Sequence, residues 1–150
     1  MSLIAIERAK LHLRVDGSDE DALITGQLMA AERLAMAWIR RNVYADAQAL
    51  AAAVAAVPAV LSEATSAYDD ALEQAMALPN ALERHAAIAA AQENYDDAQG
   101  EAKRTRRGRV LDDLFTSGVL LTLGALYENR EMLEPPPVAQ LLLDPLRAYG

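Results

Sequence analysis

At 150 residues, with no cysteine, the chain has the size of a single domain and offers neither a disulfide framework nor a thiolate metal site. Hydrophobic residues make up 53% of it and aromatics only 5%; the excess is alanine and leucine, strong helix formers, so the composition predicts an all-α fold. The net charge of -8 conceals a segregation: Lys103, Arg104, Arg106, Arg107 and Arg109 fall within seven residues, and outside residues 101–109 the chain holds 9 basic and 21 acidic groups.

The first ten residues, "MSLIAIERAK", mix acidic and basic groups and show no secretory signal. Ile6, Ala9 and Leu13 share one helical face, which predicts a short helix from Ile6 to about Leu13, broken by Gly17. Ser18 followed by Asp21 resembles a capping box, with Asp19, Glu20 and Asp21 at the positive end of the next helix. That helix is expected from Asp19 to about Arg41, on the apolar stripe Leu23, Ile24, Leu28, Ala31, Leu34, Ala35, Trp38 and Ile39.

An alanine-dense stretch, residues 45–57, then leads to Pro58, read as the first residue of a further helix. Its stripe is Leu61, Ala64, Tyr68, Ala71, Leu72, Ala75 and Met76. The longest apolar stretch, residues 49–61, is shorter than the ~20 residues of a membrane span and is interrupted by Pro58, so a soluble chain is expected. After the turn signal "LPN", Leu82, Ala86, Ile88 and Tyr95 continue the helical period. The two segments should fold back as an antiparallel hairpin with Tyr68 and Tyr95 in one seam and alanine faces that permit close approach. The chain is thus expected to be one helical domain, 1–150, with this hairpin in its middle, within residues 45–108.

The last long helix is expected from about Arg109 to Leu133; over residues 119–126, "VLLTLGAL", it is apolar nearly all round, so it is covered either by its own bundle or by a neighbouring subunit. Pro135, Pro136 and Pro137 end it, and "VAQLLLDPLRAY" makes a short terminal helix with Leu141, Leu142 and Leu146 available to dock.

Catalytic chemistry finds no place. His12 and His85 are far apart in sequence and accompany no nucleophile motif. Asp16, Asp19, Glu20 and Asp21 lack the spacing of a calcium loop and suit helix capping. The Glu-Glu-x-x-Glu pattern of helical pyrophosphohydrolases and a Gly-rich phosphate loop are absent, so no metal or other cofactor is expected. Two readings of the basic band stay open: a contact to nucleic acid or an acidic partner through phosphate-type neutralisation, or a solvated helix end paired with the chain's own carboxylates. Tyr127, Glu128, Asn129 and Arg130 set a polar cluster at the end of the apolar helix, where such groups typically fix register between packed partners.

Three blocks, "IERAKLHLRVDGSDEDALI", "GALYENREM" and "PPPVAQLLLDPLRAY", together resemble the phage head-tail connector family, the small head-completion proteins of tailed phages and prophages. The resemblance covers about the first and last 40 residues; residues 45–108 are longer than the connection such proteins would have. It implies a non-catalytic helical subunit in the virion neck, assembled in the host bacterial cytoplasm. There it would form a homo-oligomeric ring beneath the portal, extend the DNA channel and dock the next neck or tail protein, with Tyr127, Glu128, Asn129, Arg130, Leu141, Leu142 and Leu146 at the oligomer interface. The alternative is a small helical nucleic-acid-binding or regulatory protein using residues 103–109.

Overall fold

The computed structural model describes residues 2–129 and 133–149. Six α-helices, one 3-10 turn and a single pair of very short strands make up the described residues, so the fold is all-α. The chain divides into two compact units, Met1–Ala47 with Gly108–Gly150, and Gln48–Arg107.

In the first unit, α1 (Ile6–Leu13) ends on Arg14 in the left-handed conformation, φ 58°, before Gly17 is reached. Its closing hydrogen bonds, Arg14 N to the Leu11 carbonyl and Val15 N to the Lys10 carbonyl, are those of a Schellman end. Helix α2 (Asp21–Ile39) starts two residues later than expected and has no side-chain cap. The anticipated capping box does not form because the Asp21 carboxylate is taken by Lys10 Nζ at 2.7 Å, and that ammonium also donates to the Gly17 carbonyl. Arg40, φ 56°, closes α2 as Arg14 closes α1.

Two strands follow that the sequence did not suggest. β1 (Val43–Tyr44) pairs in parallel with β2 (Arg109–Val110), joining the stretch before residue 48 to the stretch after residue 107. The last long helix, α5 (Asp113–Glu128), is therefore shorter than expected: its first residues are spent on the strand, and Asp112 caps it by accepting from Phe115 N at 2.8 Å.

Helix α5 is the core of this unit, packed by α1, α2 and α6 (Pro137–Leu143). Phe115, Val119 and Leu123 have no exposed surface. Thr116 and Thr122 sit among them because each hydroxyl donates to the carbonyl four residues back, at 2.8 Å. The open choice over residues 119–126 is resolved: their own unit covers them. Gly118 makes this possible on the α6 side, since a β-carbon there would lie 2.7 Å from Leu143 Cδ2.

The tail is pinned at both ends. Gln140 Nε2 donates to the Pro135 carbonyl at 2.7 Å, holding the proline stop against the start of α6. Beyond α6 a 3-10 turn (Asp144–Leu146) brings Asp144 to Trp38, whose Nε1 donates at 2.9 Å. Arg147 lies over the Trp38 ring, 4.9 Å from its centroid, and Ala148 N donates to the Ile39 carbonyl at 2.8 Å.

The second unit is a helical hairpin of α3 (Ala47–Met76) and α4 (Ala81–Arg106). Helix α3 runs through Pro58, contrary to the expected start there. Alanine on both sides sustains the helix, and the lost bond is confined to the carbonyl of Val54. By length and composition alone this helix, continuous through Pro58, is long and apolar enough to cross a membrane, contrary to the expectation from the shorter stretch 49–61. Asn80 caps α4, its side chain accepting from Leu82 N and Glu83 N. Val57, Leu61, Ala64, Tyr68, Ala71 and Ala75 are the inward positions of α3, and Ile88, Ala91, Tyr95, Ala98 and Ala102 those of α4. Their spacing alternates between three and four, the pattern of a two-stranded coil. Tyr68 and Tyr95 meet with centroids 5.2 Å apart, and the Tyr68 hydroxyl donates to Gln92 at 3.0 Å. These rings hold the seam open, so the close backbone approach that alanine permits is not used. Met76, Leu82 and Ala86, expected on the stripe, face outward instead.

Candidate assembly interface

Tyr127 is held by the start of α2: its hydroxyl donates to Glu20 Oε2 at 2.6 Å. Glu20 and Asp21, expected as helix caps, thus serve as partners for Tyr127 and Lys10. Glu128 and Asn129 are exposed, with Asn129 N donating to the Ala125 carbonyl at 2.8 Å. Arg130 lies outside the described residues.

The three leucines of the tail part company. Leu146 is only 6% exposed and belongs to the core of its own unit, Leu142 is half-buried, and Leu141 is 72% exposed. Helix α6 explains this: Leu143 turns inward onto Gly118 and Ala139 is buried on the same helix, which leaves Val138 and Leu141 turned out. Leu133 and Tyr149, before and after the helix, are also exposed. Sequence reasoning had not singled out Val138, Leu133 or Tyr149, although Val138 and Leu141 at three-residue spacing share a face.

The basic band is divided between the units. Lys103, Arg104 and Arg106 are exposed on the last turns of α4, where Arg104 reaches Glu101 at 3.9 Å. Arg107 is half-buried as the C-cap of that helix. Arg109 belongs to β2 in the other unit and forms an ion pair with Asp112, the residue that caps α5.

A buried carboxylate was missed. Glu32 is 4% exposed, and its Oε1 accepts from the Ser2 hydroxyl, Leu3 N and Ile4 N at 2.7, 2.9 and 3.0 Å. Its position four residues after Leu28, on the apolar stripe of α2, was the available signal. His12 and His85 are both exposed, the former beside Gly124 of α5. Among the described residues no three His, Asp or Glu side chains converge as a metal ion would require.

Residues 3–117 match the family described as phage gp6-like head-tail connector protein. The match includes the first of the three resembling blocks and runs through the hairpin, stopping short of the two C-terminal blocks. No curated protein and no solved structure matches the chain. With most of its length matched and an all-α fold, the chain belongs to the phage gp6-like head-tail connector family, structural components of the virion neck.

Proposed function

We propose that copies of this chain close into a ring between the portal and the tail, extending the DNA channel and offering the next neck or tail protein its docking surface. The observation that carries this reading is the two-faced tail. Val138 and Leu141 are turned out on a segment whose inner face is fixed by Leu143, Trp38 and Ile39. An apolar face already ordered in the free subunit loses little further conformational entropy on association. Glu128 and Asn129, exposed at the end of α5, offer polar groups for a rim, and polar rims set register between subunits.

Native mass spectrometry and sedimentation, with purified portal present, test the reading. The wild type should form a closed multimer. Leu141→Asp should lose it with an unchanged unfolding midpoint, because the side chain is already in water. Arg130→Ala should weaken assembly more than folding. Monomers that persist and never bind the portal refute the proposal.

A further inference from the structure

The hairpin carries two unlike surfaces on one body. At its tip, Met76 and Leu82 are 63% and 77% exposed on either side of the turn, and Glu73 and Glu83 beside them are exposed as well. Fifteen residues back along α3, a rise of about 22 Å, α3 and α4 leave a groove of about 520 Å³. Leu61, Tyr95 and Ala102 line it as an apolar floor, with Gln99, Lys103 and Arg106 at its edge. Among the described residues neither Lys103 nor Arg106 enters an ion pair.

We propose that the tip of one copy docks in the groove of the next, with Met76 and Leu82 on the apolar floor and Glu73 and Glu83 against Lys103 and Arg106. The proposal rests on the ring reading above and names a surface for it. Charge selects the occupant. Outside residues 101–109 the chain carries 9 basic and 21 acidic groups, so most approaches between two copies are repelled, and this groove is where an acidic, apolar knob of a second copy is attracted. The hairpin itself calls for cover: across some sixty residues its buried apolar side chains are Val57, Ala75, Ala91 and Ala102, and a core this small is usually completed by oligomerisation. Tip and groove are different surfaces of one chain, so the contact is head-to-tail and propagates, as ring closure demands.

Full-length charge-reversed variants test this by sedimentation in the presence of portal. The groove variant Lys103→Glu/Arg106→Glu and the tip variant Glu73→Lys/Glu83→Lys should each need about tenfold more protein, or greater, for half-assembly, since each sets like charges face to face. Mixed in equal amounts they should assemble far more readily than either does alone, because alternating copies offer tips grooves of opposite sign, with a single like-charged contact left in a ring of odd number. Unchanged assembly by either variant alone, or a mixture that fails to recover, overturns the docking while leaving the ring reading to stand on Leu141→Asp. A groove variant that assembles normally but loses salt-dependent DNA binding overturns it too and assigns the cations to nucleic acid. A wild type that never assembles overturns both proposals.

Discussion

Replacing Gly118 by alanine puts the docking of the tail to a quantitative test. A β-carbon at this position lies 2.7 Å from Leu143 Cδ2 and 2.8 Å from its Cγ, whereas relaxed carbon contacts fall at about 3.5–4.0 Å. Two effects oppose each other. Alanine gains about 1 kcal/mol of helix stability over glycine inside α5. Forcing a methyl group into a packed core costs about 1–3 kcal/mol. Leu143 has no exposed surface and meets the new carbon with its branch point as well as a terminal methyl, so the upper half of that range applies. The expected outcome is a net loss of about 1–2 kcal/mol, read in urea as a lower midpoint at unchanged slope. Trp38, the single tryptophan, donates to Asp144 one residue beyond Leu143, so displacement of α6 should also shift its native emission. Leu143→Ala alone should cost about 2–5 kcal/mol. In the Gly118→Ala background part of its cavity is filled, and the double variant should exceed the additive stability by about 1 kcal/mol. A Gly118→Ala variant more stable than the wild type by the full propensity gain would mean that α6 does not rest on α5.

Three further outcomes are expected. Pro58→Ala restores the hydrogen bond to the Val54 carbonyl and removes the ring clash, raising hairpin stability by about 1–3 kcal/mol; circular dichroism at 222 nm during heating measures it, and no gain would show that α3 relieves the proline elsewhere. Arg14→Gly and Arg40→Gly relieve left-handed backbones worth about 1–2 kcal/mol, partly offset by glycine's unfolded-state entropy of about 0.5–1 kcal/mol. Each should therefore stabilise slightly, and a loss in urea unfolding would mean the arginine side chains contribute more than their backbones cost. Glu32→Ala removes the acceptor shared by the Ser2 hydroxyl, Leu3 N and Ile4 N, leaves Ile4 N only the longer bond to Ser2 Oγ at 3.3 Å, and should cost about 2–4 kcal/mol, whereas Glu32→Gln keeps an acceptor and should cost less; equal effects in urea unfolding would deny the carboxylate its role.

Most helices were legible because their apolar spacing is local information. Ile6, Ala9 and Leu13 define α1 with no help from the rest of the chain, and "LPN" locates the hairpin turn for the same reason. The boundaries that moved were set by distant partners. Asp21 was free to cap α2 as far as its neighbours were concerned, but Lys10, eleven residues earlier, took its carboxylate. Residues 109 and 110 continue a helical pattern, yet pair with residues 43 and 44, and a two-residue strand has no periodicity to read. Met76 and Leu82 fit a helical stripe by spacing, but the seam ends before the turn and leaves them outside.

The candidate interface was legible in composition and illegible in facing. That the tail is leucine-rich after a proline stop is visible in the sequence; which leucine faces which way depends on Gly118, some two dozen residues earlier, because only a side chain without a β-carbon lets Leu143 seat there and so rotates Leu141 into solvent. The same seating alters what assembly has to accomplish. Residues 119–126 look unfinished as a sequence, but α1, α2 and α6 of their own unit cover them, and Tyr127 is already satisfied by Glu20. A subunit with α5 closed in this way need not unfold or exchange core surface to join a neighbour. Its outward Val138 and Leu141 can associate as a preformed face, so assembly should be reversible and leave the stability of the folded subunit intact.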